Sequence, residues 1–138
     1  SNIMISKVVY KGDLRTESTH LQSGKTIITD APVDNQGKGK AFSPTDLVAT
    51  ALASCMLTIM GIVAKRDGIM IEGTTAEVEK IMVSNPRRIG EIRLKINFPH
   101  PILDKDQVKL ERAAHTCPVS VSLHNNLNEI VEFIYPKS

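Results

Sequence analysis

The sequence predicts an α+β fold, an antiparallel sheet wrapped around one long central helix, and three observations predict it. Residues 47–64 carry no charge at all, and a helix that is apolar all round has to be buried. Strand-like segments come as a group of three before that stretch and a pair after it, instead of alternating singly with helices. Finally, Ile92, Leu94, Ile96 and Phe98 alternate with Arg93, Lys95 and Asn97, the period of a strand with one buried and one wet face.

In chain order, Ile3–Lys11, Leu14–Gln22 and Lys25–Asp30 read as three strands. Turn dipeptides at Gly12-Asp13 and Ser23-Gly24 join them into a meander. A loop punctuated by Gly and Pro, residues 31–42, leads straight into the central helix. That helix runs from an N-cap at Ser43, with Pro44 at the first helical position and Asp46 completing a capping box, to Gly68 as a left-handed stop. Lys65 and Arg66 suit its C-terminal dipole. A row of small residues at 51, 54, 58 and 61 lets another backbone come close, and predicts packing against a copy of itself. Residues 70–84 and 87–99 read as strands joined at Asn85-Pro86. Residues 104–115 read as a helix, Pro118 opens a second to about Leu127, and residues 129–135 close the chain as a strand.

At 138 residues the chain is expected to form a single domain, long enough to bury roughly two thirds of its unfolded surface. Ser1 and Asn2 read as a remnant of an expression tag. A formal charge of +2 and the lack of Trp argue against nucleic acid as a partner. The small and weakly polar residues of the central stretch argue against a membrane span, although its length just reaches one. No apolar run follows a basic N-terminus, so a cytoplasmic protein is expected. Two cysteines in such a chain are reactive or bland more often than bridged for structure.

Cys55 lies among apolar neighbours on the central helix, where burial makes a thiol inert unless a cation is near. Cys117 precedes Pro118 at a helix start, where the dipole favours thiolate. Arg15 and His20, on a meander strand, are ordinarily a solvated face, and Asp46 is most economically a cap. A metal site from Cys55, His115 and Cys117, with His20, lacks a motif that supplies a full ligand set.

Taken together, SPTDLVATALASC, ending in Cys55, and AAHTCPVS, carrying Cys117, resemble the OsmC/Ohr family of thiol-dependent hydroperoxide reductases and osmotically induced proteins. The resemblance covers nearly the whole chain. It implies an intertwined homodimer with its sites at the interface, Cys55 as the peroxidatic thiolate and Cys117 as the resolving thiol that closes a disulfide. Arg15, in GDLRTES, is similar to the family arginine that stabilises the thiolate. The implied substrate is an organic hydroperoxide. There is no bound cofactor; an external dithiol, carried by lipoyl proteins, serves as reductant.

One position departs from the pattern. The organic-hydroperoxide branch has a Glu directly after the helix-opening proline, paired with the arginine, where this chain has Thr45 and places its acid at Asp46. One residue on a helix turns a side chain by about 100°, so the Arg–carboxylate pair is expected to be missing or rearranged. That places the chain in the broader OsmC-like branch. The alternative reading is a stress or small-molecule-binding protein with little turnover.

Overall fold

A computed structural model describes residues 3–138; the Ser1–Asn2 remnant lies outside the described residues. The chain forms two compact units, the first ending at Leu47 and the second spanning Val48–Ser138. The first unit is the expected antiparallel meander of β1 (Ser6–Gly12), β2 (Arg15–His20) and β3 (Thr26–Asp30). Its first turn sits one residue later than the dipeptide suggested. Asp13 and Leu14 are the central pair, at φ 53° and 61°, and Gly12 enters a bulge at φ 89°. The bulge sets Gly12 opposite Arg15 and so makes Arg15 the first paired residue of β2. Val8, Val9, Tyr10, Ile27 and Ile28 all remain exposed, so this sheet is apolar yet uncovered.

After a single 3₁₀ turn at Val33–Asn35, α1 runs from Pro44 to Asp67, within a residue of the ends read from its caps. The capping box forms in both directions. The Asp46 N–H donates to Ser43 Oγ at 3.1 Å, and the Ser43 N–H donates to Asp46 Oδ2 at 2.9 Å. Such a cap adds about 1 kcal/mol of helix stability.

The second unit places β4 (Thr75–Val83), β5 (Arg88–Asn97) and β6 (Asn128–Ile134) in one sheet, with β5 in the middle. β4 starts later than the expected Met70. Thr74 turns back to bond the Ile71 carbonyl through both its N–H and its hydroxyl, which ends the approach before any pairing begins. β4 and β5 are antiparallel; β6 returns through α2 (Asp104–Ala114) and α3 (Pro118–Ser122) to lie parallel to β5. α3 is shorter than the reading to Leu127, because Leu123 leaves helical geometry at ψ 154°. Ile92, Leu94 and Ile96 face a core completed by Leu52, Met56 and Met60 of α1 and Leu110 of α2.

α1 is not enclosed by its own chain. Ala49, Leu52, Ala53, Met56, Met60 and Ala64 are buried along one stripe. Val48, Ala51, Ser54, Thr58 and Ile62 are exposed along the opposite one. By length and composition α1 could cross a membrane, yet only 33% of its most apolar window is buried. The small-residue row therefore lies largely on the open side.

The C-terminal end of α1 is held by charge. Asp67 accepts from Arg66 Nε at 3.0 Å and from Lys109 Nζ of α2 at 2.8 Å. These donors, Arg66 foremost, hold the Asp67 carboxyl down at about 2. Because the folded value lies below the unfolded one, this stabilisation is complete above about pH 4 and fades as the pH falls toward 2. Urea midpoints of the protein and of Asp67→Asn should therefore differ at pH 6 and converge near pH 2; a constant difference would show that the pair contributes nothing through ionisation.

Candidate active site

The two units each hold part of the residues singled out by sequence. In the first, Arg15 is paired with a carboxylate that sequence reasoning passed over. Arg15 Nε donates to Asp30 Oδ1 at 2.7 Å, and a terminal guanidinium nitrogen donates to Oδ2 at 2.8 Å. This is the fork-to-fork geometry that only Arg offers. The pair follows from register: Arg15 and Asp30 are direct partners on β2 and β3.

Asp30 is fully buried, whereas the Arg15 side chain keeps 28% of its exposure. A buried charge is tolerable only when paired and hydrogen-bonded. Asp30 meets that demand with a third donor, the Lys40 N–H at 3.1 Å. The Arg15 bonds are the largest cause that pulls the Asp30 carboxyl below its ordinary range, against the opposing effect of burial. The loop that delivers Lys40 folds back tightly. Gly39 N–H bonds the Ala31 carbonyl, and a Cβ at Gly37 would stand 1.8 Å from that oxygen, so residue 37 has to be Gly. The long loop thus completes the cage around the carboxylate.

The carboxylate question left by Thr45 has an answer of its own in this chain. The acid beside Arg15 comes from β3, and Asp46 closes the capping box at the start of α1. Sequence offered one signal for Asp30, an acid directly opposite Arg15 in a meander, which needs the register to be known.

In the second unit the structure brings Cys55 and Cys117 together. Both are free thiols, and the Cys55 sulfur is a hydrogen-bonding neighbour of Cys117. Their environments differ. Cys55 borders the exposed stripe of α1 and is partly buried; Cys117 is wholly buried. Cys117 caps α3, its sulfur accepting the Ser120 N–H at 3.3 Å. The helix-start geometry expected for Cys117 is present, but it does not win. Burial is the larger influence and pushes the Cys117 thiol up, with the Cys55 sulfur adding to the effect and the Ser120 N–H opposing it. Cys117 is therefore held as a neutral thiol.

Other candidates fall away on geometry. Among the described residues no three of His, Cys, Asp or Glu are grouped as metal ligands. His115 sets its ring edge-on to Phe133 at 5.9 Å. His20 bonds the Ser23 hydroxyl at 2.6 Å within its own turn. Leu52 and Met56, near Cys55 on α1, belong to the core. A groove of about 560 Å³ opens beside the end of α1, between Leu57, Gly61, Met70 and Thr74, and neither thiol lines it.

This arrangement sets an order of reactivity. At neutral pH a small alkylating agent should modify Cys55 first and Cys117 much more slowly, in a time course followed by peptide mass. Faster labelling of Cys117 would mean that the cap, and not burial, governs its chemistry.

Similarity to known proteins bears on the family and the fold. The family model described as OsmC-like protein matches residues 37–131, a span that holds both cysteines and leaves out Arg15 and Asp30. Among solved structures, a Psychrobacter arcticus protein, proposed to be induced by osmotic stress and to act in a detoxification response, shares 54% identity. That match covers 97% of this chain and 98% of the other, at a TM-score of 0.94. The fold also agrees with an organic hydroperoxide resistance protein OsmC from Legionella pneumophila, at 18% identity over 96% of each chain and a TM-score of 0.75. OhrB, the organic hydroperoxide resistance protein of Bacillus subtilis, matches at 23% identity over 95% of this chain and 98% of its own, with a TM-score of 0.67. No curated protein matches the chain. With two neighbouring thiols where its two cysteine motifs put them, and a family match running from the Gly-rich loop into β6, the chain belongs to the OsmC-like family.

Proposed function

We propose that the protein is a cysteine-based hydroperoxide reductase of oxidative-stress defence, working as a cytoplasmic homodimer. The observation that carries this reading is the pair of free, neighbouring thiols with unequal burial. The partly exposed Cys55 attacks as thiolate on the O–O bond of an organic hydroperoxide, becoming a sulfenic acid and releasing an alkoxide that takes up a proton. The neighbouring Cys117 thiol displaces water from the sulfenic sulfur and closes the disulfide. An external dithiol returns both sulfurs to thiols and is itself oxidised to a disulfide. Such a cycle needs a reducing compartment, which fits the cytoplasm.

Cys55 lies more than two turns into α1, too far for the dipole to activate it, so the reading needs a fixed cation. Arg15 is assigned that role by family resemblance. Asp30 serves as its positioning residue, since the fork to a buried carboxylate leaves the guanidinium one orientation. The dimer supplies what one chain lacks, cover for the open stripe of α1 and for the bare meander. The alternative, a stress-related binding protein with little turnover, is favoured by Thr45 in place of Glu and by the description given to the Psychrobacter relative.

One dose of cumene hydroperoxide should link Cys55 to Cys117 within a chain, as read by peptide mapping after thiol blocking; two alkylatable thiols would refute the cycle. With dithiothreitol as donor, Asp30→Asn should slow turnover by about tenfold to a hundredfold, the scale of a misplaced catalytic group, and Asp30→Glu should restore part of it. Full activity in Asp30→Asn would remove Asp30 as a positioning residue, and absence of turnover in the unaltered protein would leave the alternative reading standing. Sedimentation should give twice the 15.1 kDa chain mass at micromolar concentration, and a monomer would remove the proposed cover of α1.

A further inference from the structure

The second unit carries a cationic seam that the proposed chemistry does not use. Lys105, Val108, Lys109, Arg112 and Thr116 recur at helical spacing along the open face of α2 and its exit, facing Val63 and Arg66 of α1 across a groove of about 400 Å³. All but Val63 are exposed. Lys105 and Lys109 are four residues apart, and Lys109 and Arg112 three, so α2 holds like charges where they repel and cost it stability. The α2 acids do not line this groove. Glu111 instead accepts from the Tyr135 hydroxyl at 2.9 Å. Asp67 is the acid that reaches the seam, and it binds Arg66 and Lys109 together. Four cations against one carboxylate leave the groove strongly positive, over an apolar floor of Val63 and Val108.

We propose that this seam docks an acidic segment of the protein that presents the dithiol reductant. The inference rests on the reductase reading, because that cycle requires one macromolecular or small partner each turn, a source of two electrons. The seam ends next to one of the two thiols in the chain: Thr116, which lines it, directly precedes the buried Cys117, although neither cysteine lines the groove itself. Complementary charge raises the rate of encounter and the local concentration of the partner without altering the chemistry at sulfur. Reduction is balanced: one thiolate of the dithiol attacks the Cys55–Cys117 disulfide, the second closes on the first, and two protons end on the freed cysteines.

The test uses the full chain oxidised with diamide, so that the disulfide is made whether or not peroxide makes it. Single-turnover reduction is followed with three peptides carrying the same dihydrolipoyl group, flanked by glutamate, glutamine or lysine, and with free dihydrolipoamide. The glutamate peptide should outpace the glutamine peptide by about tenfold at low salt, and lose that lead near about 0.5 M salt. The surface variant Lys105→Glu/Arg112→Glu should abolish or invert the preference, with free dihydrolipoamide unchanged. Equal rates for the three peptides, or a preference that survives the double variant, would overturn the proposal. So would absence of peptide preference together with seam-dependent binding to phosphatidylserine vesicles, which would assign the seam to a lipid surface. Failure of cumene hydroperoxide to form the disulfide, with the peptide preference intact, would instead count against the peroxidase reading alone.

Discussion

α1 has more apolar surface than its own chain can cover, and much of the structure answers to that constraint. Eighteen uncharged residues present a full cylinder to their surroundings, while the sheet of β4, β5 and β6 and the helix α2 take only one side of it. Leu52, Met56 and Met60 fill that side completely. On the other, Ala51, Ser54 and Thr58 are small or weakly polar between Val48 and Ile62, and Thr58 turns its hydroxyl back onto the Ser54 carbonyl at 2.8 Å. A surface of this kind suits a second backbone at close range. Cys55 sits on the border between the two sides, which gives it partial access while its partner Cys117 is sealed in the core.

A second constraint shapes the first unit. Asp30 is buried, and a buried carboxylate must be satisfied on every side. The chain spends a bulge at Gly12, a left-handed turn at Asp13 and Leu14, and the tightly folded loop at Gly37 to bring Arg15 and the Lys40 N–H onto it. Three local irregularities of the backbone thus serve one ion pair. The pair also revises how Arg15 should be probed. Replacing Arg15 alone leaves Asp30 buried and unpaired, so loss of activity in that variant would mix folding with chemistry.

What sequence made legible was whatever short-range physics decides. The caps of α1, the period of β5 and the meander could be read because capping residues, alternation and turn dipeptides act within a few positions. The parallel return of β6 could not, since nothing in Asn128–Ile134 records which neighbour it will meet. Asp30 escaped for the same reason: it gains meaning only opposite Arg15. Cys117 was misjudged in degree. Its position before Pro118 announced the helix start, but local sequence does not reveal that the thiol is wholly buried, and burial outweighs one N–H donor.

The central claim of the proposed reductase is that a cation fixed by Asp30 makes Cys55 nucleophilic. The most direct measurement is the pH dependence of Cys55 alkylation in a Cys117→Ser background, with and without Arg15→Ala/Asp30→Asn. That double change removes the buried anion together with its partner and leaves net charge unaltered, so neither an orphaned carboxylate nor a long-range field can account for a shift. The account predicts that Cys55 alkylation at neutral pH slows by about tenfold or more when the pair is removed. Curves that superimpose, on variants of unchanged circular dichroism, would contradict it.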